Sequence, residues 1–338
     1  MKQRRLGRTG LVVSEIGLGT MTFGSMADES TSHAIMDCAI DHGINFFDTA
    51  EMYPVPPNPK WAGQTEEVVG KWLTGRRRDS IILASKVTGP GGGWFLGPVR
   101  SGNSGLDRHN ITRAIEGSLT RLGTDYLDLY QTHWPDPDLP LDETMEALDR
   151  AVESGKVRYV GCSNESAYGL MKSLWVSADN GYARHETIQN NFSLVNRRFE
   201  DELATVCRRE NVSLLAYSPL AGGVLTGKYQ NGAWPEASRF TDYRKDPKRG
   251  EHMARRFVND KTLASVDAFS ELASSCDLSI ATFAVAWSLT RDFLGSSLVG
   301  ATSVAQLEET IAAAGVTIPP DVLAACDKIS KKTMYPMG

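Results

Sequence analysis

Four polar residues of this chain, Asp48, Tyr53, Lys86 and His133, stand at or just past the downstream ends of three apolar runs. The runs are GINFFD (43 to 48), SIILASK (80 to 86) and YLDLYQTH (126 to 133), and Tyr53 follows Asp48 by five residues in the loop TAEMY. One carboxylate, one phenol, one ammonium and one imidazole, if brought together, can protonate a carbonyl oxygen. Adding hydride to a ketone or aldehyde builds negative charge on that oxygen, so a proton donor must be poised there. A free phenol, with a pKa of about 10, donates reluctantly near neutrality. A cation held beside it favours the phenolate and lowers that pKa. Lys86 suits the cation, Asp48 the carboxylate that keeps it charged and aimed, and His133 a ring NH that orients or polarises the carbonyl. A positioned acid is typically worth about 100- to 10,000-fold in rate.

Such residues meet only if the strands that carry them are parallel neighbours. Short β-rich runs alternate with amphipathic helical patterns along the whole chain. The strand candidates are SEIGL (14 to 18), NFFD (45 to 48), IILASK (81 to 86), LDLYQT (127 to 132), VRYVGCS (157 to 163), TIQN (187 to 190), VSLLAYS (212 to 218) and SSLVG (296 to 300). Between them, Asn110 to Leu122 carries Ile111, Ile115, Leu119 and Leu122 on one helical face and stops at Gly123, and Asp142 to Ser154 has the stripe Met145, Leu148, Val152. Eight strands alternating with helices predict an α/β fold of the (β/α)8 TIM-barrel type, with long loops at the C-terminal face of the strands, where such barrels carry their chemistry. An open doubly wound sheet is the alternative, and it usually advertises a Gly-rich dinucleotide turn. GLGTMTFG (17 to 24) lacks the third glycine at the required spacing, so it reads as a strand end and a turn.

Composition permits this and narrows the class. The 338 residues suffice for one barrel domain, 41% are hydrophobic and 23% charged, and the formal charge is -5. No basic run suggests a nucleic-acid footprint, since Arg76 to Arg78 fits a solvated helix C-terminus. The five cysteines lack a Cys-x-x-Cys pair, and no long apolar stretch follows MKQRRLGRTG, so the expectation is a cytoplasmic protein without a membrane partner. The histidines other than His133 show no metal-ligand spacing, and no metal site is expected.

The Asp, Tyr, Lys, His order and its contexts resemble the aldo-keto reductase family, whose catalytic tetrad runs in this order. TAEMYPVPPNP (49 to 59) followed by TEEVVGKWL resembles its Tas-type bacterial branch, and matching segments run from GRTGLVVSEIGLGTMTFG to VGATSVAQLEE, nearly the whole chain. The resemblance implies one barrel domain over 1 to 338, with a long cofactor loop at about 222 to 258, a C-terminal segment from about 315, and NADPH, rather than NADH, as cofactor. Ser163, Asn164 and Gln189 supply the donors and acceptors a nicotinamide carboxamide needs, and Tyr217 a ring to stack on the nicotinamide. In SPLAGGVLTGKY, the segment Ser218, Pro219, Leu220 with Gly222 and Gly223 lets backbone NH groups approach a pyrophosphate that Lys228 can neutralise. Arg239 matches a position that reaches the adenosine side, and Gly300, Thr302, Gln306 and Glu309 match positions around the ribose phosphate and adenine at a helix start. Gln306 stands where shorter family members carry arginine and Thr310 where many carry asparagine, which leaves Lys228 and Arg239 as the main cations. Ser303 with Gln306 also fits a capping box, which would occupy that glutamine internally. The loop from Gly222 to about Val258 reads as a flap over the cofactor or as a disordered surface insertion.

Candidate substrate walls are Met21 and Phe23 after the first strand, Trp94 after the third, in a loop opened by GPGGG (89 to 93), and Trp134 beside His133, apolar surfaces that suit a hydrophobic carbonyl compound. Each tetrad residue has a structural alternative: Asp48 with Lys86 as a buried ion pair, Tyr53 as loop packing, His133 as a strand cap. At the level of function the alternatives are an NADPH-binding regulatory subunit with negligible turnover, resembling potassium-channel beta subunits, and a barrel hydrolase using Asp48 with Glu51 or Asp136. Physiological substrate and oligomeric state are left open by the sequence.

Overall fold

The computed structural model describes residues 1–90, 99–236, 238–247 and 250–337. A short antiparallel hairpin comes first, β1 (Gln3–Arg5) and β2 (Val12–Ser14). There follow β3 (Ile16–Gly19), α1 (Glu29–Asp41), β4 (Phe46–Asp48), α2 (Gln64–Leu73), β5 (Ile82–Val87), α3 (Arg108–Leu122), β6 (Leu127–Thr132), α4 (Leu141–Glu153), β7 (Val157–Ser163), α5 (Ala167–Asn180), β8 (His185–Asn191), α6 (Leu203–Glu210) and β9 (Ser213–Tyr217). The short α7 (Arg239–Tyr243) and α8 (Gly250–Phe257) precede α9 (Asp260–Ser275), α10 (Ile280–Leu289), β10 (Leu294–Val299), α11 (Val304–Ile311) and α12 (Pro320–Lys332). Strands β3 to β10 pair in chain order and close on themselves, β10 lying between β9 and β3, all parallel. This is a (β/α)8 barrel, as the alternation of strand and helix patterns predicts.

All eight expected strands form, each within a few residues of its predicted span. Helix α3 begins at Arg108, two residues before the expected Asn110, because Asp107 is the N-cap: its carboxylate accepts the Asn110 N–H at 3.0 Å. Its other end is as expected, with Gly123 at φ +63. Helix α10 is hydrophobic all round, with Ala281 to Ser288 buried, so it is a core helix. Among the described residues no single helix is long and apolar enough to cross a membrane; one bent pair, Gly250–Ser275 with Ile280–Leu289, passes on length and composition, and its second half is this buried helix.

The pleat of the strands sorts the barrel interior into layers. Phe46, Ala84, Leu129, Leu215 and Leu298 form one apolar cluster with Leu6, Leu11 and Val13 from the hairpin and the turn that joins its strands. Asp48, Lys86, Gln131 and Gln189 lie two residues further along their strands than Phe46, Ala84, Leu129 and the position before Ile188, one pleat above that layer. The hairpin is absent from the sequence expectations, because QRR and VVS are too short to display a period. It closes the lower mouth, and Arg4 fixes it by donating to the carbonyls of Leu289, Arg291 and Leu294. Gly17 completes the fit: a Cβ there would stand 2.9 Å from Leu298, Phe46 and Ser296.

The long connection after β9 is folded over its described residues, which removes the disordered-insertion alternative there. Phe240 is buried, stacks on Phe257 at 4.7 Å and meets Tyr229 and Tyr243 at 5.8 Å each. The C-terminal segment docks too, with Pro336 O accepting from Asn259 and Thr262.

Leu6 is fully buried at the plugged mouth. Truncation by Leu6→Ala is expected to cost about 2–5 kcal/mol, read as a lower urea midpoint, by removing transfer energy and leaving a cavity.

Candidate active site

Lys86 is the centre of the polar layer. Its side chain is wholly buried, and Nζ donates to Asp48 Oδ2 at 2.6 Å, to the Thr49 carbonyl at 2.8 Å and, at 3.5 Å, to the hydroxyl of Tyr53. The other oxygen of Asp48 accepts from Gln131 Nε2 at 3.1 Å and from Gln189 Nε2 at 2.8 Å. Gln131 is a member of this network that the sequence reading missed. The available signal was its register: a polar residue inside the apolar run LDLYQT, two before His133 and paired directly with Lys86.

Tyr53 comes from the loop after β4, where its N–H donates to Ala50 O and its carbonyl accepts from Gly63 N. His133 lies just past β6, its N–H donating to Val87 O at 2.9 Å and its ring edge-on to Tyr53, with centroids 5.6 Å apart at 80°. Nδ1 of His133 has no hydrogen-bond partner among the described residues. The structure therefore gathers all four predicted tetrad residues at the C-terminal ends of β4, β5 and β6.

Environment sets their protonation. Burial disfavours the Lys86 cation, but Asp48 with help from Tyr53 outweighs it and raises the pKa, so the ammonium stays charged. Burial, then the Lys86 charge, pushes His133 well below the usual imidazole range, so the ring is neutral and has one NH to give. Tyr53 departs from the sequence expectation. Lys86 does act to lower its pKa, but burial is the larger influence and the net shift is upward, which keeps the phenol protonated.

The second half of the barrel continues the same network. Ser163 Oγ donates to the Gln189 carbonyl at 2.7 Å, and Asn164, at φ +57, donates through Nδ2 to His133 O at 2.9 Å and Ser163 Oγ at 3.1 Å. Tyr217 Oη donates to Asn164 Oδ1 at 2.7 Å. Ser163, Asn164, Gln189 and Tyr217 are thus contiguous with the tetrad. Asn190 Oδ1 and Asn191 Oδ1, at the same end of β8, have no partner among the described residues and are open acceptors that the sequence reading did not single out.

A nicotinamide dinucleotide fits this donor and acceptor set, and the loop after β9 adds an anion cradle. Ser218, Pro219 and Leu220 lead into a turn in which Gly222 and Gly223 take φ of +68 and +98, the left-handed region open to glycine. A Cβ on Gly223 would stand 3.0 Å from Lys228 Nζ, and one on Gly222 would stand 3.5 Å from an Arg239 guanidinium nitrogen. Lys228 and Arg239 converge on this turn without a carboxylate partner among the described residues, and the Lys228 pKa is depressed by burial and by the Arg239 charge. Arg239 is also close enough to act on Tyr53. At the start of α11 half of the expected capping box forms, Ser303 Oγ accepting from Gln306 N, while Gln306 Oε1 is occupied one residue earlier than the box requires, accepting from Thr302 N and Oγ1 at 3.0 and 3.1 Å. Glu309 accepts from Ser279 Oγ, while Gly300 is exposed.

The substrate-wall expectations fare unevenly. Met21 packs against Tyr53 and its neighbours, and Trp134 stacks on His133 at 6.5 Å. Phe23 is corrected: its side chain is fully buried and belongs to the main core, and its carbonyl accepts from Thr65 Oγ1 at the start of α2. Trp94 lies outside the described residues. The carboxylates a hydrolase would need are already engaged, Glu51 in a bidentate pair with Arg100 and Asp136 by Leu106 N–H.

Comparison with known proteins agrees with this geometry. The Aldo/keto reductase family profile matches residues 15–331. The chain is 41% identical to Protein tas of Escherichia coli K12 over 354 aligned positions, covering 99% of each. It is 37% identical to the uncharacterized oxidoreductase YrpG of Bacillus subtilis, covering 97% of this chain and 96% of that one. It is also 32% identical to a probable voltage-gated potassium channel subunit beta of Arabidopsis thaliana, over 98% and 96%. With an eight-stranded parallel barrel, a buried ammonium paired to a carboxylate beside a phenol, and a family match over nearly its whole length, the chain belongs to the aldo/keto reductase family of oxidoreductases.

Proposed function

We propose that this protein is an NADPH-dependent carbonyl reductase that converts an aldehyde or ketone to the alcohol, with Tyr53 as the general acid. The observation that carries this reading is the Lys86 ammonium, wholly buried, 2.6 Å from Asp48 and 3.5 Å from the Tyr53 hydroxyl, with a neutral His133 beside that phenol. A reduced nicotinamide, when bound, supplies the hydride. The chain's own residues handle the proton and the charge. As negative charge grows on the carbonyl oxygen, Tyr53 gives its hydroxyl proton to that oxygen, and the phenolate left behind is stabilised by Lys86. Asp48 holds the ammonium in place, and Gln131 and Gln189 hold Asp48. The neutral imidazole of His133 donates its NH to the same oxygen and so fixes the substrate's orientation.

Ser163, Asn164, Gln189 and Tyr217 serve the nicotinamide in this reading, and Gly223, Lys228 and Arg239 the phosphates. Thr302, Gln306 and Glu309 already satisfy one another or their neighbours, so preference for NADPH over NADH is assigned to Lys228 and Arg239. The protein is taken as cytoplasmic, acting on a small carbonyl compound. The beta-subunit relative motivates a second reading, a cofactor-binding regulatory subunit; the fully assembled acid, cation and carboxylate set favours turnover over binding alone.

The first test follows loss of NADPH absorbance with a nitrobenzaldehyde. Tyr53→Phe is expected to lower kcat by about 100- to 10,000-fold with NADPH affinity, read by fluorescence, unchanged; equal rates would remove Tyr53 as the acid. Because burial raises the Tyr53 pKa and neutralises His133, reduction should show no inflection near the ordinary imidazole value of about 6.5 and should decline only on the alkaline side of about 10. Losing one charge-assisted contact in Lys228→Ala or Arg239→Ala should weaken NADPH binding by about 10- to 100-fold, with a smaller effect on NADH for whichever cation meets the extra phosphate.

A further inference from the structure

Glu51 has no part in the chemistry above, yet its carboxylate is buried, with the residue 2% exposed, two positions before Tyr53. Its two oxygens tie Arg100 and the end of β5 to the Tyr53 loop. Oε1 accepts from the N–H of Thr88, just past β5, at 2.7 Å. Arg100 reaches Oε2 through Nη1 at 2.6 Å and Oε1 through Nη2 at 3.0 Å. The remaining guanidinium groups are used as well, Nε donating to Asn110 Oδ1 of α3 at 2.8 Å and Nη2 to Thr88 O at 3.5 Å. The Glu51 N–H donates to the carbonyl of Lys86 at 3.3 Å. Arg100 and Ser101 take φ of +49 and +57, conformations that such residues keep when surrounding contacts hold them there. Val99 packs on Ala50, Met52, Tyr53 and Val55.

We propose that Glu51 and Arg100 form a positioning pair that fixes the Tyr53 loop against the end of the Lys86 strand. This rests on the reading of Tyr53 as the acid. Of the three groups around Lys86 Nζ, Asp48 and the Thr49 carbonyl are held in or next to β4, whereas the Tyr53 hydroxyl comes from the loop and is the most distant at 3.5 Å. That contact is the one that loop position controls. Releasing Glu51 frees the backbone two residues upstream of Tyr53 and lets the phenol drift from the ammonium. The charged and titratable groups acting on Tyr53 are Lys86, Asp48 and Arg239, with Tyr217 and the neutral His133 ring close by. Only the first and third of these favour the phenolate.

The test uses Arg100→Met and Glu51→Gln, with Arg78→Met as control, which breaks a similar pair with Asp128 near the start of β6. Both pair variants are expected to lower kcat by about 10- to 100-fold with NADPH affinity unchanged, and the double variant to be no worse than either alone. Drift of the phenol away from the Lys86 ammonium should move Tyr53 ionisation further upward, read as the phenolate absorbance difference against Tyr53→Phe in each background. Arg78→Met should lower stability without either change. A folded Arg100→Met protein with kcat within about twofold of wild type, or with Tyr53 ionising where it does in wild type, overturns the proposal. Should Arg100→Met not fold, Glu51→Gln, which keeps the side-chain volume, carries the same decision. A wild type that turns over no carbonyl sinks the reductase reading instead, and the absorbance titration still decides the pairing.

Discussion

The structure is organised around the burial of one ammonium. A lysine cation withdrawn from water loses hydration worth several kcal/mol even after relaxation, and it is tolerated only with an opposite charge at contact distance and its remaining protons engaged. Asp48 meets the first condition and the Thr49 carbonyl the second, leaving the Tyr53 hydroxyl as the third and loosest partner. The same demand falls on Asp48, whose second oxygen is satisfied by two glutamine amides from β6 and β8. Four strands are thereby committed to one charge pair. The apolar layer beneath it, plugged by the hairpin, keeps water from reaching the pair from below.

A buried ion pair alone is weak evidence for chemistry, since barrels contain structural ones. The Arg78, Asp128 and Arg158 cluster near the other end of β6 is such a case, with both arginines partly exposed and the adjacent Tyr126 hydroxyl donating to Asp79. The Lys86 pair differs in its neighbours. A phenol kept protonated by burial and an imidazole kept neutral by burial and by the same lysine stand together, one able to give a proton and the other a hydrogen bond. Low dielectric, which makes these groups costly to bury, also strengthens what they do to a charge developing between them.

The connection after β9 solves a different problem. It brings two further cations, Lys228 and Arg239, to the site beside the Lys86 of the barrel wall, and it does so with its own aromatic nucleus of Tyr229, Phe240, Tyr243 and Phe257. That nucleus holds Arg239 at the start of α7 near the Gly222 turn and near Tyr53. Two cations without carboxylates among the described residues are electrostatically unsatisfied there, and a phosphate-bearing ligand would relieve both.

Sequence alone was enough for the order of the barrel strands and the helices between them, because eight apolar runs, the Gly123 helix stop and a period of 3.6 in α3 are local signals. It also indicated which four polar residues could act together, since Asp48, Lys86 and His133 stand at or just past the ends of strand runs and Tyr53 follows Asp48 in the loop. Tertiary structure decided what no local pattern encodes. The hairpin plug is two strands too short to show a period, and Phe23 looks like a mouth residue in sequence but is fully buried in the main core. Gln131 joins Asp48 only because the parallel register sets it opposite Lys86. The sign of the Tyr53 shift depends on how much water the closed barrel excludes, a property of the whole packing, and a cation five strands' worth of chain away in Arg239 reaches the site only once the barrel has closed.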